Sequence, residues 1–591
     1  MLKFSNLNLF WRAFKQYRLY IFGLAILGAI GSLLEGIGIN AIIPLFSFVD
    51  KNATGNVDFI SKFLKSFFAF MGIGFTLKNL LLFILLMFVV KTITLFYNAV
   101  LTYGITAKYE RDSRLELFKL TVETDWPHLA QQKIGHLDQL LTTYIANSSG
   151  LLSNTSFFIL SLINLVVYSL VIMSVSSAIA FGAAVVGILL FLLFKPLFYR
   201  NNKISKEAAD IYKQIAHYVN EHIIGMKVVK SMFVEREVVK NSVRYFDQMR
   251  DLSQKVNLLR NLTNSLLQLA GIIFILGIFA FSYKAGIFAF GSFAVVVYAL
   301  QRLFSQIQVV QSQIHNFSTC FPYLVNLFQY KEDALKNKEK NAGIKSFSFE
   351  NSLDFGQVKF SYDHILEVVS KIDLSLKKGK ILGLIGPSGS GKTTIVDLLL
   401  RLYEPGGGSI TLDGENISDI KMKDWRKNIG YVPQDAFMIN DTIENNIKFY
   451  DESITYEDMV TAAKMANIYE FIEERPEKFQ AMVGERGTLL SGGQRQRIVL
   501  ARVLARKPKI LILDEATSSL DNESELLIQK TLEGLRGKMT ILIIAHRLST
   551  VMIADNLMIL ESGKIIESGS PESLLRNTNS YFYKNYNLTL K

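Results

Sequence analysis

The sequence predicts an α-helical six-span transmembrane domain followed by an α/β domain built around a phosphate-binding loop. Three observations carry this. The long apolar runs of the 591 residues all fall before about residue 330. A strand-like run, Ile381 to Ile385, leads into Gly386-Pro387-Ser388-Gly389-Ser390-Gly391-Lys392-Thr393-Thr394 and then a helical pattern. A second strand-like run, Ile510 to Leu513, ends in Asp514-Glu515.

Composition supports the split. Half the chain is hydrophobic, 20% is charged, and mean hydropathy is +0.26. Soluble domains carry about 25% charge. With 43 Phe and 24 Tyr the chain has ample core, which excludes disorder. A single cysteine, Cys320, excludes a disulfide scaffold and a Cys-rich metal site, and reads as packing. The net charge of +12 fits a face toward anionic lipid and anionic ligands rather than nucleic acid.

A helical span needs about 20 apolar residues. Ile21 to Phe48 and Leu80 to Ile105 supply the first two. Gln139 to Phe194 contains no charged residue and holds two more, with a turn near Ser176-Ser177. Leu262 to Tyr283 is the fifth, and Ile287 to Leu300 opens a sixth that continues past Arg302 toward Phe321. The connections at 106–138 and 195–260 carry five and thirteen Lys/Arg, against Lys51, Lys62, Lys65 and Lys284 on the other side. That asymmetry places both termini and the second domain in the cytoplasm. The apolar run from Ile21 is too long for a cleavable signal. Before it, Leu7, Phe10, Trp11, Phe14 and Tyr17 recur at helical spacing, which predicts a short helix either in the membrane interface or packed on the protein. Each long cytoplasmic connection reads as helix with a central break, at Thr124–His128 and at Ile224–Lys227. The domains are thus 1–330, a polar linker or fraying helix end at 331–349, and 350–591.

Within the spans, Glu35 and Lys91 are candidates for function by their cost, or else for pairing and snorkelling. Gly23, Gly28, Gly31, Gly36 and Gly38 mark close helix packing. Gln301, Gln306, Gln308, Gln311 and Gln313, with Arg302 and His315, form a polar stripe on the sixth span, suited to a wet cavity or to helix–helix hydrogen bonds. His315 has no second ligand at metal spacing.

The second domain carries the chemistry. The glycines of 386–391 let backbone N–H groups face phosphate oxygens at a helix N-terminus. Lys392 is placed for the β- and γ-phosphates and Thr393 for Mg²⁺. Asp514 would hold Mg²⁺ through water, and Glu515 would polarise the attacking water. Phosphoryl transfer needs mostly positioning and charge neutralisation, so these few groups suffice.

Between the two runs lies Leu490-Ser491-Gly492-Gly493-Gln494-Arg495-Gln496-Arg497, which resembles the signature of ATP-binding cassette (ABC) proteins. Other segments agree, in family order. Tyr362 matches the aromatic that stacks on adenine, Gln434 the Q-loop, and Val483 to Gly487 the extra motif of the exporter branch. Ser519-Leu520-Asp521 matches the D-loop and His546 the switch histidine. The membrane half is similar to a type IV exporter half-transporter, whose coupling helices would fall at the two breaks. The resemblance implies an α/β P-loop ATPase with ATP and Mg²⁺ as ligands. It gives Glu515, His546 and Gln434 catalytic roles, and Thr393, Gln434 and Asp514 the metal. Tyr362, residues 386–394, Ser491, Gly492, Gly493, Gln494 and Asp521 would contact nucleotide. Because the signature serves a partner's P-loop in that family, the chain should work as a dimer. Its intact motifs favour a second copy of itself, with a heterodimer as the alternative. Glu35 to Phe46 is similar to the first span of bacterial flippases for lipid-linked oligosaccharide. The expected function is therefore ATP-driven export or flipping of a lipid-like or amphipathic substrate in a bacterial inner membrane. Multidrug or peptide efflux and an ATP-gated, non-pumping membrane regulator are the alternatives.

Overall fold

The computed structural model describes residues 4–49, 59–132, 134–284, 290–362, 366–516, 522–545 and 548–584. The chain divides into two compact units, Met1–Glu123 with Gln132–Asn337 and Thr124–Gln131 with Lys338–Lys591.

Among the described residues, six helices of the first unit are long and apolar enough to cross a membrane: Lys15–Leu45, Leu77–Val122, His136–Val175, Ser177–Ile224, Glu235–Phe281 and Phe293–Lys336. The third and fourth are separated by Ser176 alone, whose extended backbone breaks the helix and whose hydroxyl accepts from Ile179 N–H to start the next. The breaks expected in the long connections are present. The second span stops at Val122 and a short helix, Trp126–Gln131, follows. The fourth stops at Ile224, and Met226–Ser231 follows Gly225. The last helix runs on to Lys336, six residues into the segment read from sequence as linker or helix end.

The N-terminal helix, Phe4–Ala13, leads into a short turn at Lys15–Tyr17. Phe14 and Tyr17 are buried against Tyr109, at ring distances of 5.0 and 5.8 Å, while Trp11 stays exposed. One face packs on the second span and the other is left outward.

Glycine permits close approach along the first span. A Cβ on Gly28 would come within 2.9 Å of Leu160 Cδ1, and one on Gly36 within 2.9 Å of Val167 Cγ1. Gly31 and Gly38 press on Leu95 and Phe88 in the same way, whereas Gly23 meets nothing. That contact brings Glu35 inward. Its carboxylate, 5% exposed, pairs with Lys91 Nζ at 2.9 Å and lies 3.8 Å from Arg302 Nε.

The second unit holds two sheets. One is antiparallel, in the order β2 (Val369–Lys377), β1 (Ser352–Phe360), β4 (Gly407–Leu412), β5 (Glu415–Asn416). The other runs β10 (Lys564–Gly569), β9 (Asn556–Glu561), β3 (Ile381–Ile385), β8 (Thr540–Ile544), β7 (Ile510–Asp514), β6 (Ile429–Val432). β9, β3, β8, β7 and β6 are parallel. β3, β7 and β8 are buried along their whole length, as a parallel sheet covered on both faces requires. Ligands of such sheets bind beyond the carboxyl ends of the strands. Those ends carry Gly386, Asp514-Glu515 and, after β6, Gln434.

Removing one partner of a buried ion pair strands the other, at a cost of about 3 kcal/mol. Glu35→Ala should therefore lower the Tm of the full chain in detergent by several degrees. The double variant Glu35→Gln/Lys91→Met should regain most of the loss.

Candidate functional site

The phosphate-binding loop joins β3 to the helix Lys392–Leu399. Two glycines are obligatory. A Cβ at Gly386 would lie 2.0 Å from Leu560 O, and Gly391 holds φ +105° with a Cβ position 2.9 Å from Val368 O. Ser388 and Gly389 are exposed, while Ser390 Oγ is buried with no hydrogen-bond partner. An orphan hydroxyl in a glycine cradle at a helix N-terminus suits a phosphate. Lys392 Nζ donates to Gly386 O at 3.0 Å and Pro387 O at 2.9 Å. Burial lowers its pKa, against the pull of Glu515 and Asp514. Its ammonium is thus held by neutral carbonyls, which an anion readily replaces.

Asp514 is buried at the end of β7, and Tyr431 OH donates to its Oδ2 at 3.5 Å. Burial and then Glu515 raise its pKa. A buried carboxylate crowded by a second one fits a divalent cation, and Thr393 is exposed in the first turn of the P-loop helix, which packs against β7. Glu515 is partly buried with φ +48°, its N–H bonded to Ile544 O at 2.9 Å. That left-handed conformation is uncommon for a non-glycine residue and turns the chain away from the end of β7. Gln434 is exposed just past β6.

Tyr362 stands on the antiparallel sheet's side, half-exposed. Its ring is fixed edge-on to Phe360 and Tyr403, at 4.9 and 5.2 Å, and its hydroxyl bonds Thr394 Oγ1 at 3.0 Å. An aromatic face presented beside a phosphate loop can stack a nucleobase.

Ser491 caps the helix Gly492–Ala505. Its hydroxyl accepts from Gln494 N–H at 3.2 Å, and Gln494 Oε1 accepts from Ser491 N–H at 2.9 Å. This capping box fixes the entry to the signature helix, with Gly492 and Gly493 in its first turn. Asp521 and His546 lie outside the described residues, as do Ser519 and Leu520.

Sequence reasoning missed several residues. Asp397, on the P-loop helix, shares a hydrogen bond with Tyr362, and burial followed by the charge of Asp514 pushes its pKa up to about 6. Gln496 Nε2 donates to Pro433 O at 3.0 Å, tying the signature helix to the residue before Gln434. Arg502, buried in the same helix, donates to Asn446 O at 2.7 Å and Phe437 O at 2.8 Å, with its guanidinium 4.3 Å above the Phe449 ring. Burial and Arg506 lower its pKa to about 10, so it stays charged at neutral pH. A charged residue inside an otherwise apolar run was the signal available for Asp397 and Arg502.

Comparisons with known proteins agree with this geometry. Residues 18–306 match the ABC transporter transmembrane region and residues 369–518 the ABC transporter ATPase domain. The heterocyst differentiation ATP-binding protein HepA of Nostoc is 31% identical over 452 residues, 76% of this chain and 74% of that one. A Staphylococcus aureus ATP-binding/permease protein named for multidrug export is 33% identical over 394 residues, 65% of this chain and 67% of that one. The structure of a bacterial Atm1-family ABC exporter with ATP bound has the same fold. Its TM-score is 0.79, with 21% identity over 98% of this chain and 100% of that one. The chain belongs to the ABC transporter family. Within it, the chain is a multi-pass membrane protein that binds ATP and couples its hydrolysis to transport. One membrane domain and one ATPase domain per chain call for dimerisation.

Two expectations follow. A carboxyl whose folded pKa is raised costs stability above that pKa, and the cost fades as pH falls toward the unfolded value. Asp397→Asn should therefore stabilise the ATPase domain at pH 7.5 by about 1 kcal/mol after solvent screening, read as a higher apparent Tm. The difference should shrink toward pH 5. Asn446→Ala removes the amide oxygen that accepts from Arg502 Nη2 and from Ile439 N–H, each at 3.1 Å, and should destabilise the ATPase domain by about 2 kcal/mol, read from its unfolding transition.

Proposed function

We propose that this chain pairs with a second copy of itself and uses ATP to export or flip a lipid-like or amphipathic substrate. The observation that carries the self-sufficient dimer is that each described nucleotide motif keeps its chemistry on one chain. Lys392 follows β3 while Asp514 and Glu515 follow β7, two parallel strands of one sheet with β8 between them, and Ser491 is poised at an exposed helix start. Nothing in that set requires a better-equipped partner, although a heterodimer would use the same groups.

In this reading residues 1–330 form the transport domain, 331–349 connect, and 350–591 hydrolyse ATP. Tyr362 stacks on adenine. The loop 386–394 wraps the phosphates, with Lys392 on the β- and γ-phosphates. Thr393, Asp514 and Gln434 hold Mg²⁺, which neutralises charge between the phosphates when bound. Glu515 accepts the proton of the attacking water, and His546 contacts the γ-phosphate. Ser491, Gly492, Gly493 and Gln494, with Asp521, close over the partner's nucleotide. ATP drives the change from inward- to outward-facing only through its greater affinity for the closed dimer.

The basic connections at 106–138 and 195–260 support a cytoplasmic ATPase domain, and the bacterial relatives support a bacterial inner membrane. The substrate reading is supported by the apolar, glycine-packed first span and its likeness to lipid flippases. Multidrug efflux is the second reading, favoured by the Staphylococcus aureus relative named for multidrug export.

The test is ATP hydrolysis by the chain purified alone in lipid nanodiscs. Glu515→Gln should lose at least about 100-fold in rate while still binding ATP. Lys392→Ala should weaken ATP binding itself. A panel of lipid-linked sugars, phospholipids and drugs should stimulate the wild type by class. An inactive wild type that binds ATP would overturn the self-sufficient dimer, and stimulation by drugs alone would favour the second reading.

A further inference from the structure

The sixth span differs from its neighbours in what it shows to the surroundings. The second, fourth and fifth spans expose Leu85, Ile93 and Phe96, Ile188 and Leu192, and Leu269 and Ile272, as lipid-facing helices do. Along the described side chains of Phe293–Lys336, Ile314 and Leu335 are the large apolar residues exposed. The exposed positions at its membrane level are instead Gln301, Arg302 and Ser305. A span with that surface is a poor match for acyl chains.

Arg302 sits where that face meets a buried charge cluster. Glu35 pairs with Lys91 at 2.9 Å and with Arg302 at 3.8 Å. Tyr298 OH accepts from Arg302 Nε at 3.0 Å and lies 3.5 Å from Glu35 Oε1. Tyr168 also hydrogen-bonds Glu35. Among the described residues, Glu35 is the one acid paired with either cation, so the cluster carries two positive charges against one negative. The closer, more buried partner is Lys91, its side chain 15% exposed, while that of Arg302 is 45% exposed. Tyr168 lies about 10 Å along its helix from Val175, and Arg302 about 18 Å from Phe290. Both residues thus lie inside helices long and apolar enough to cross a membrane, not at their ends.

A surplus cation within the hydrocarbon layer is costly unless an anion answers it. Its guanidinium has two bonding edges, one of which Tyr298 and Glu35 occupy. The planar fork suits a phosphate or carboxylate on the other.

We propose that Arg302, oriented by Tyr298 and Glu35, binds the anionic headgroup, of phosphate-monoester type, of an amphipathic substrate within the membrane domain. This rests on the export reading above and names the chemistry of its cargo.

The test reads binding rather than hydrolysis. Full-length chain in a non-ionic detergent is titrated with phosphatidic acid and with diacylglycerol of the same acyl chains, and adducts are counted by native mass spectrometry. Wild type should prefer phosphatidic acid by about tenfold. Arg302→Gln should bring the two within about twofold, and Arg302→Lys should keep part of the preference. ATP binding by each variant reports its folding. On the unaltered chain, dodecyl phosphate should displace bound phosphatidic acid and dodecanol should not. A preference that survives Arg302→Gln, or displacement by dodecanol, overturns the site. Displacement by inorganic phosphate as readily as by dodecyl phosphate overturns the amphipathic occupant in favour of a free anion. Failure of Glu515-dependent hydrolysis would instead overturn the export reading, and leaves this binding result distinguishable from it.

Discussion

A charge taken out of water must be answered by another charge or by oriented dipoles, or the group neutralises or the fold gives way. This chain meets that constraint by three different means. Glu35 and Lys91 answer each other directly across two spans. Arg502 is answered by backbone carbonyls, an amide oxygen and an aromatic face. Lys392 rests on two carbonyls of its own loop, with Asp514 and Glu515 near enough to act on its charge. The first solution is saturated and rigid. The third is provisional, because neutral acceptors hold a cation less firmly than a phosphate does.

The sheet makes the third arrangement possible. β3, β8 and β7 are neighbours, so the phosphate loop and the two acids leave the same edge of the sheet. The signature helix is fastened to the segment after β6 by Gln496 at Pro433 and by Arg502 at Phe437 and Asn446. Any displacement of that segment is thus felt at Ser491, whose helix it holds. The capping box defines where the helix begins, and the buried arginine defines where it is anchored.

Much of this was legible in the sequence, because the signals were local. Apolar runs gave the six spans, since membrane thickness dictates their length. Ser176 and Gly225 were visible as breaks inside helical patterns. The phosphate loop and the acids after β7 were legible because their spacing is set by backbone geometry. The remainder depended on partners distant in the chain. Glu35 and Lys91 stood out singly as costly residues, but their pairing and its extension to Arg302 needed helix packing that glycines permit and no spacing encodes. Asp397 stood as a charge in an apolar run, but Tyr362 and Asp514, which act on it, come from elsewhere in the chain. Arg502 lies in the apolar half of its helix, and its acceptors come from residues 437 and 446, which only the fold brings near. The five-residue π-turn Leu140–Tyr144 in the third span likewise leaves no compositional trace.

The second span runs unbroken from Leu77 to Val122, 46 residues, or about 69 Å of helix. A bilayer's hydrocarbon layer accounts for about 30 Å of that, leaving nearly 40 Å as a stiff arm beyond it. Such an arm multiplies angle into distance. A tilt of about ten degrees at the membrane would sweep its far end by roughly 7 Å, more than one helical turn. Leverage of this kind lets small rearrangements at one end be exchanged for large ones at the other without any change in the helix itself.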